Sequence, residues 1–430
     1  MISHVGSGGD AVQLMLVIDI ILVVAVLFMT RPVLRIHHPM LWYLVWHCTA
    51  NTARLFSLVT GAELLYFSNG NFAVVTPEEI LRASFWNGLA LVLFAAGVML
   101  AHGRAMAPRD PRRFLVPGPG VIDLIAKVVF PLGILCFLLV RFVPRATLDG
   151  TGLGSYITVA AMWPVQILCM LIFFRGFRTP LILILSVLML LTAVQGYHRF
   201  MVILPALFLG IFYALDRRIR YPILTMSLPA IPFLMVVPYI KNIGALVQDG
   251  AYGDAAGMFF GAFVLANETP GSPTNFLDQF AAALTLIDGQ GTFWLGATYV
   301  SLLLLPIPRA LWAEKPSLGQ HVIDIATIDR PFDREGRIIT YLGEAYVNFA
   351  EFGMIIIPLL VSYLFTRLYM LANTGPERSL LMLTLLFFLP ASIQMYRDGI
   401  GSIILFGLIF NAPLIFAYVL ARNSRNRLKL

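Results

Sequence analysis

The chain has 430 residues, of which 59% are hydrophobic and only 12% charged. Soluble proteins carry about twice that share of charge, so a soluble globular enzyme, a disordered chain and a disulfide scaffold are excluded, and a polytopic membrane protein is indicated. The net charge of +7 is weak evidence for nucleic acid, because the inner loops of membrane proteins are basic for a topological reason.

The N-terminus, MISHVGSGGD, has no Lys or Arg before the first apolar run. It lacks the basic region of a secretory signal, so 11–30 reads as a retained helix. Further apolar runs lie at 39–66, 85–102, 121–143, 154–174, 180–195, 200–215, 222–240, 350–371, 379–395 and 400–421. They predict an all-α fold of about eleven transmembrane helices. Arg31 and Arg35, then Arg104, Arg109, Arg112 and Arg113, then Arg175 and Arg178, then Arg217, Arg218 and Arg220, then Arg378, and finally Arg422, Arg425, Arg427 and Lys429 fall in linkers on one side. That side is expected to be cytoplasmic, with the N-terminus outside and the C-terminus inside.

Within the spans, Asp19 and Arg54 lie at similar depth and are expected to pair. Lys127 and Arg367 lie near inner helix ends and are expected to snorkel. His47 and His102 read as packed or interfacial groups. Cys48, Cys136 and Cys169 all sit in apolar runs and read as small buried residues.

Three regions follow: helices over 1–240, a large outer loop over 241–340, and the last helices with a basic tail over 341–430. The loop is longer than an ordinary connection. It contains FLDQFAAALTLIDG at 276–289 and FWLGATYVSLLLLPIP at 293–308. The second run is too short to cross comfortably, so it is expected to lie in the interface or re-enter. Helices in such a loop are expected to cover a cavity in the bundle.

No Walker A, HExxH, CxxC or DxD motif is present. ATP hydrolysis is therefore not expected, no cofactor is called for, and any chemistry must draw on an activated substrate. The informative charges are arginines on the outer side: Arg199 in QGYHRF, Arg337 in DREGRIITYLGE and Arg397 in QMYRDGIG. Each is expected beside an outward helix start, where free N–H groups and the dipole favour an anion. A guanidinium fork there suits phosphate oxygens. The competing reading is snorkelling, or pairing with an acid such as Asp398. Arg309 and Lys315 follow in IPRALWAEKP, a turn fixed by Pro306, Pro308 and Pro316. In GEAYVNFAEFG, Glu344, Asn348 and Glu351 are spaced to share one helix face, expected to face a wet cavity. His198 and His321 are the outer-side histidines that can serve as a general base.

Taken together, IPRALWAEKP, GEAYVNFAEFG, the arginine before the last helix and the GYHRF arginine resemble the Wzy-type oligosaccharide repeat-unit polymerases of O-antigen and exopolysaccharide synthesis. The resemblance covers roughly 190–400; one departure is Ala350, where glycine is expected after Asn-Phe. It implies a GT-C-like membrane glycosyltransferase of the inner membrane, with its site on the periplasmic face. It also implies undecaprenyl-pyrophosphate-linked oligosaccharides as substrates and no metal; membrane lipids and a chain-length regulator are the expected partners. On that reading Glu344 is the first candidate for the base, followed by His198 and His321. Arg199, Arg309, Lys315, Arg337 and Arg397 would hold pyrophosphate, and Asn348 and Tyr197 would line the acceptor site. An O-antigen ligase is the nearest alternative, and a polysaccharide transporter the alternative from another class.

Overall fold

The computed structural model describes residues 8–62, 66–68, 71–73, 75–103, 115–143, 154–194, 200–222, 225, 239–248, 250–261, 276–290, 293–302, 304, 307, 311–312, 340–401 and 410–427. These form α1 Gly8–Thr30, α2 Pro39–His47, a π-helical turn Cys48–Thr52, α3 Ala53–Val59 and a hairpin of β1 Tyr66–Ser68 with β2 Asn71–Ala73. Then come α4 Pro77–Gly103, α5 Pro119–Phe142, α6 Gly154–Ala160, α7 Trp163–Arg175, α8 Thr179–Val194 and α9 Phe200–Asp216. Next are α10 Ile240–Gln248, α11 Tyr252–Gly261, α12 Phe276–Gln290 and α13 Ala297–Leu302. The last are α14 Tyr341–Asn373, α15 Leu380–Asp398 and α16 Ala412–Arg427.

Among the described residues, six helical segments are long and apolar enough to cross a membrane: Gly9–Thr30, Pro77–Gly103, Pro119–Phe142, Tyr156–Arg175, Tyr341–Asn373 and Leu380–Asp398. The chain is therefore a helical, multi-pass membrane protein. The expected span at 39–66 ends earlier, at Val59, but helical backbone is continuous from Pro39 through the π turn. At about 1.5 Å per residue that stretch is about 30 Å long. The expected spans at 180–195 and 200–215 form shorter apolar helices. That at 222–240 lies largely outside the described residues. Of that at 400–421, Ile400 and Gly401 are helical and the helix is described again as α16 from Ala412, with 402–409 outside the described residues.

Two apolar cores hold the bundle. One joins α1, α2, α3, α4, α12 and the first half of α14, around Phe94, Leu55, Ile80 and Phe280. The other joins α5, α7, α8, α9, α15 and α16, around Cys169, Ile172, Phe208 and Leu386. Both α14 and α15 cross from one core to the other, since Tyr341 and Tyr396 belong to the first while Tyr369 and Leu389 belong to the second. Lipid is as apolar as leucine, so close packing and internal hydrogen bonds carry the association. Gly97 shows this: a Cβ there would run into Ser362 and the Leu359 carbonyl of α14. By contrast α1 turns Leu14, Ile18, Ile21 and Phe28 outward, more than 40% exposed each, as a lipid-facing helix requires.

Contacts along the helices fix their directions. α4 and α14 run parallel, with Arg82 meeting Tyr346 at one end and His102 near Tyr369 at the other. α15 returns, its Leu380 N–H donating to the Leu115 carbonyl at the His102 end. At that same end Arg378 pairs with Asp216, and Arg175 with Asp123. The basic linkers that are described thus share one end of the bundle. α12, α13 and the start of α14 occupy the other.

Candidate functional site

At the far end, α14 begins with Thr340 as its cap, the hydroxyl accepting from Gly343 N–H at 3.3 Å. An acid in the first turn is favoured by the helix dipole, and Glu344 occupies that turn, 5% exposed. Its Oε1 accepts from the Thr298 hydroxyl of α13 at 3.0 Å. Its Oε2 accepts from Ile400 N–H at 2.5 Å, where helical backbone resumes after α15. Gly399 makes that approach feasible: its φ is +95, and a Cβ there would lie 2.5 Å from Glu344 Oε2. An L-residue would suffer on both counts.

Asn348 completes the cluster, fully buried. Its Nδ2 donates to Thr298 Oγ1 and to the Glu344 carbonyl, each at 2.7 Å. Its Oδ1 accepts from Thr298 N–H at 3.4 Å. Directly after it the helix breaks, with Phe349 at φ −139 and Ala350 at φ +53, ψ −145. The break turns the Val347 and Asn348 carbonyls toward the segment before α13, where they accept from Trp294 and Leu295 N–H, each at 3.0 Å. Buried backbone groups freed by a kink must find such partners.

The loop helix α12 is tied to the same end. Arg54 of α3 grips Asp278 with two bonds, Nε to Oδ1 at 2.9 Å and Nη2 to Oδ2 at 2.5 Å, both groups buried. Thr285 donates to Glu79 of α4 at 2.7 Å. Asp288 is bonded by both Arg82 and Tyr346, which are themselves 3.0 Å apart. Partial burial opposes ionisation of Asp288, yet the hydrogen bonds from Arg82 and Tyr346 outweigh it and hold the carboxyl below the usual range. Leu277, Phe280, Leu284 and Ile287 fill the face beneath.

Several expectations change here. Asp19 does not pair with Arg54; it is held by His47, Asn51 and Thr52, because Arg54 reaches the loop instead. Glu351 does not share the Glu344–Asn348 face: the break at Phe349–Ala350 re-aims the helix and leaves Glu351 exposed. Glu344 and Asn348 face α13 and the Ile400 backbone rather than an open cavity. Arg397 lies in the last turn of α15, three residues before helical backbone resumes at Ile400. Its guanidinium sits over the Phe276 ring, 5.9 Å from the centroid, and its Nε is 3.3 Å from Asp398 Oδ1, so pairing with Asp398 is the observed arrangement. Tyr197, His198, Arg199, Arg309, Lys315, His321 and Arg337 lie outside the described residues.

The structure therefore brings together Glu344, Asn348 and the turn after Arg397, segments more than fifty residues apart. Sequence reasoning missed Thr298 and Gly399. A glycine directly after a helix-ending Asp398 is a C-cap signal, which was the available clue for Gly399; Thr298 carried none. Comparison with protein-family models, with curated proteins and with solved structures finds no match to this chain.

Proposed function

We propose that the protein is a membrane glycosyltransferase that polymerises polyprenyl-pyrophosphate-linked oligosaccharide repeat units at the membrane face bearing Glu344, without a metal. The observation that supports this reading is the joining of the two segments that carry the resemblance. Glu344 of GEAYVNF receives the first described N–H of the helix that follows YRDG. Transfer breaks an anomeric C–O bond, and negative charge develops on the departing pyrophosphate. Arginine forks and free N–H groups stabilise such charge where it forms. On this reading Arg199, Arg309, Lys315, Arg337 and Arg397 supply the positive charge, and Tyr197 and Asn348 border the acceptor.

The attacking hydroxyl needs a proton acceptor. Both Glu344 oxygens are committed to donors, so in this conformation it organises the site. A base role requires the acceptor hydroxyl to reach a remaining lone pair of that carboxylate; otherwise His198 or His321 takes the proton. The glycan profile of a strain lacking the protein tests the reading. A polymerase loss leaves lipid A-core capped with single repeats, whereas unused polymer on its lipid carrier would instead assign the ligase reaction.

A further inference from the structure

Asp19 lies mid-way along α1 and is 2% exposed. Its carboxylate accepts three hydrogen bonds, all from one stretch of the neighbouring helix. His47 Nε2 at 2.8 Å and Asn51 Nδ2 at 2.9 Å reach Oδ1, and Thr52 Oγ1 at 2.6 Å reaches Oδ2. His47 and Asn51 are buried as well. The stretch is the π turn Cys48–Thr52 with the residue before it. Such turns are rare and frequently mark functional sites; here the widened turn and the residue before it direct three side chains to one carboxylate.

The charge balance is unusual for a membrane interior. α1 carries no Lys or Arg, and α4, packed against it, carries no ionisable side chain between Arg82 and His102. On the π turn Cys48 is the one other ionisable group. Arg54 of α3 is paired with Asp278 of α12. His47 is thus the group beside Asp19 that can carry positive charge. Two buried acceptors in the cluster have no hydrogen-bond partner among the described residues: His47 Nδ1 and Asn51 Oδ1. Both belong to side chains whose other polar atom holds Asp19. Nε2–H can be donated to Asp19 by either form of the ring; with a neutral ring the cluster carries one uncompensated negative charge, which is expensive at that depth.

We infer that Asp19 and His47 form a buried proton-binding site. A proton from water binds at His47 Nδ1, Nε2–H stays shared with Asp19 Oδ1, and the cluster becomes neutral. Release returns the proton to water. A sodium ion fits less well, since hard cations ask for a shell of oxygens and one of the two open acceptors is an imidazole nitrogen. α3 starts where the π turn ends and carries Arg54 to Asp278 of α12. This site stands apart from glycosyl transfer, and its test does not depend on that activity.

Infrared difference spectroscopy between pH values, on the full-length protein in lipid nanodiscs with isotope-labelled histidine, reads the site. A histidine ring band should titrate together with a carboxylate band. Both should vanish in Asp19→Asn and in His47→Gln. Glutamine keeps a donor to Asp19 but takes no further proton, so His47→Gln should fold even where Asp19→Asn does not accumulate. Wild-type spectra without a titrating histidine–carboxylate pair, spectra unchanged in His47→Gln, or bands that follow sodium instead of pH would overturn the assignment.

Discussion

Ala350 holds a backbone conformation, φ +53 and ψ −145, that glycine adopts freely and alanine only under strain. The resemblance expects glycine at that position, and the structure supplies the physical reason. Ala350→Gly should relieve roughly 1–3 kcal/mol of strain against roughly 0.5–1 kcal/mol of added chain entropy. The expected net outcome is a variant more stable by about 1 kcal/mol in thermal unfolding, with function retained. Gly399→Ala should do the reverse. A methyl group there meets Glu344 Oε2 and forces the Ile400 contact apart, so activity should fall sharply while the protein still reaches the membrane. Arg54→Ala would strand a buried Asp278 carboxylate and should destabilise by about 3–5 kcal/mol. Arg54→Met with Asp278→Leu should recover most of that, measured as detergent-resistant Tm. None of these partners was legible from depth counting along the chain. Asp19 and Arg54 lie at matching depths, but side chains pair by azimuth as well, and the π turn re-aims Arg54 toward α12.

His38 illustrates an element-scale device at the opposite end. Its Nδ1 accepts from Met40 N–H at 3.1 Å and so caps α2. That fixes the proton on Nε2, which donates to His102 Nε2 at 3.3 Å, linking the start of α2 to the end of α4. His37 joins Asn373 of α14 at 2.9 Å. Burial first, then His102, His37 and Arg35, push His38 down to about 3. A base held neutral in the fold and free to charge when unfolded loses stability as pH falls. The window runs from the ordinary histidine value of about 6.5 down to about 3. His38→Asn keeps the capping acceptor but cannot charge. Its Tm should therefore fall less than that of wild type between pH 6.5 and the onset of acid unfolding; equal losses would remove His38 as the cause. The helical segments themselves were legible because long apolar runs leave few alternatives. Their ends were not: α4 starts at Pro77 and α14 at Tyr341, ahead of the apolar runs, because Glu79, Arg82 and Glu344 are paired by the loop and tolerated inside the helices.

At the scale of the molecule, helix direction alternates so that the described arginine linkers gather at one end and the Glu344 cluster at the other. The arginine pattern predicted that separation from the sequence, since basic loops are retained on the cytoplasmic side. In a background free of native thiols, Glu78→Cys should react with an impermeant thiol reagent applied from outside, and Glu377→Cys should not; the reverse would invert the proposed orientation. What the sequence left hidden is how the segment around Trp294 closes on the bundle. That closure depends on backbone carbonyls freed at Phe349–Ala350 and taken up by Trp294 and Leu295, contacts that have no side-chain signature. The proposed activity is tested most directly by the purified wild-type protein reconstituted with polyprenyl-pyrophosphate-linked repeat units and a metal chelator. A ladder of polymer lengths is expected, lowered about 10²–10⁴-fold in rate by Glu344→Gln if Glu344 accepts the proton, and present at near-normal rate if it only organises the site. No ladder from folded wild-type protein supplied with its own organism's repeat unit would contradict the polymerase reading.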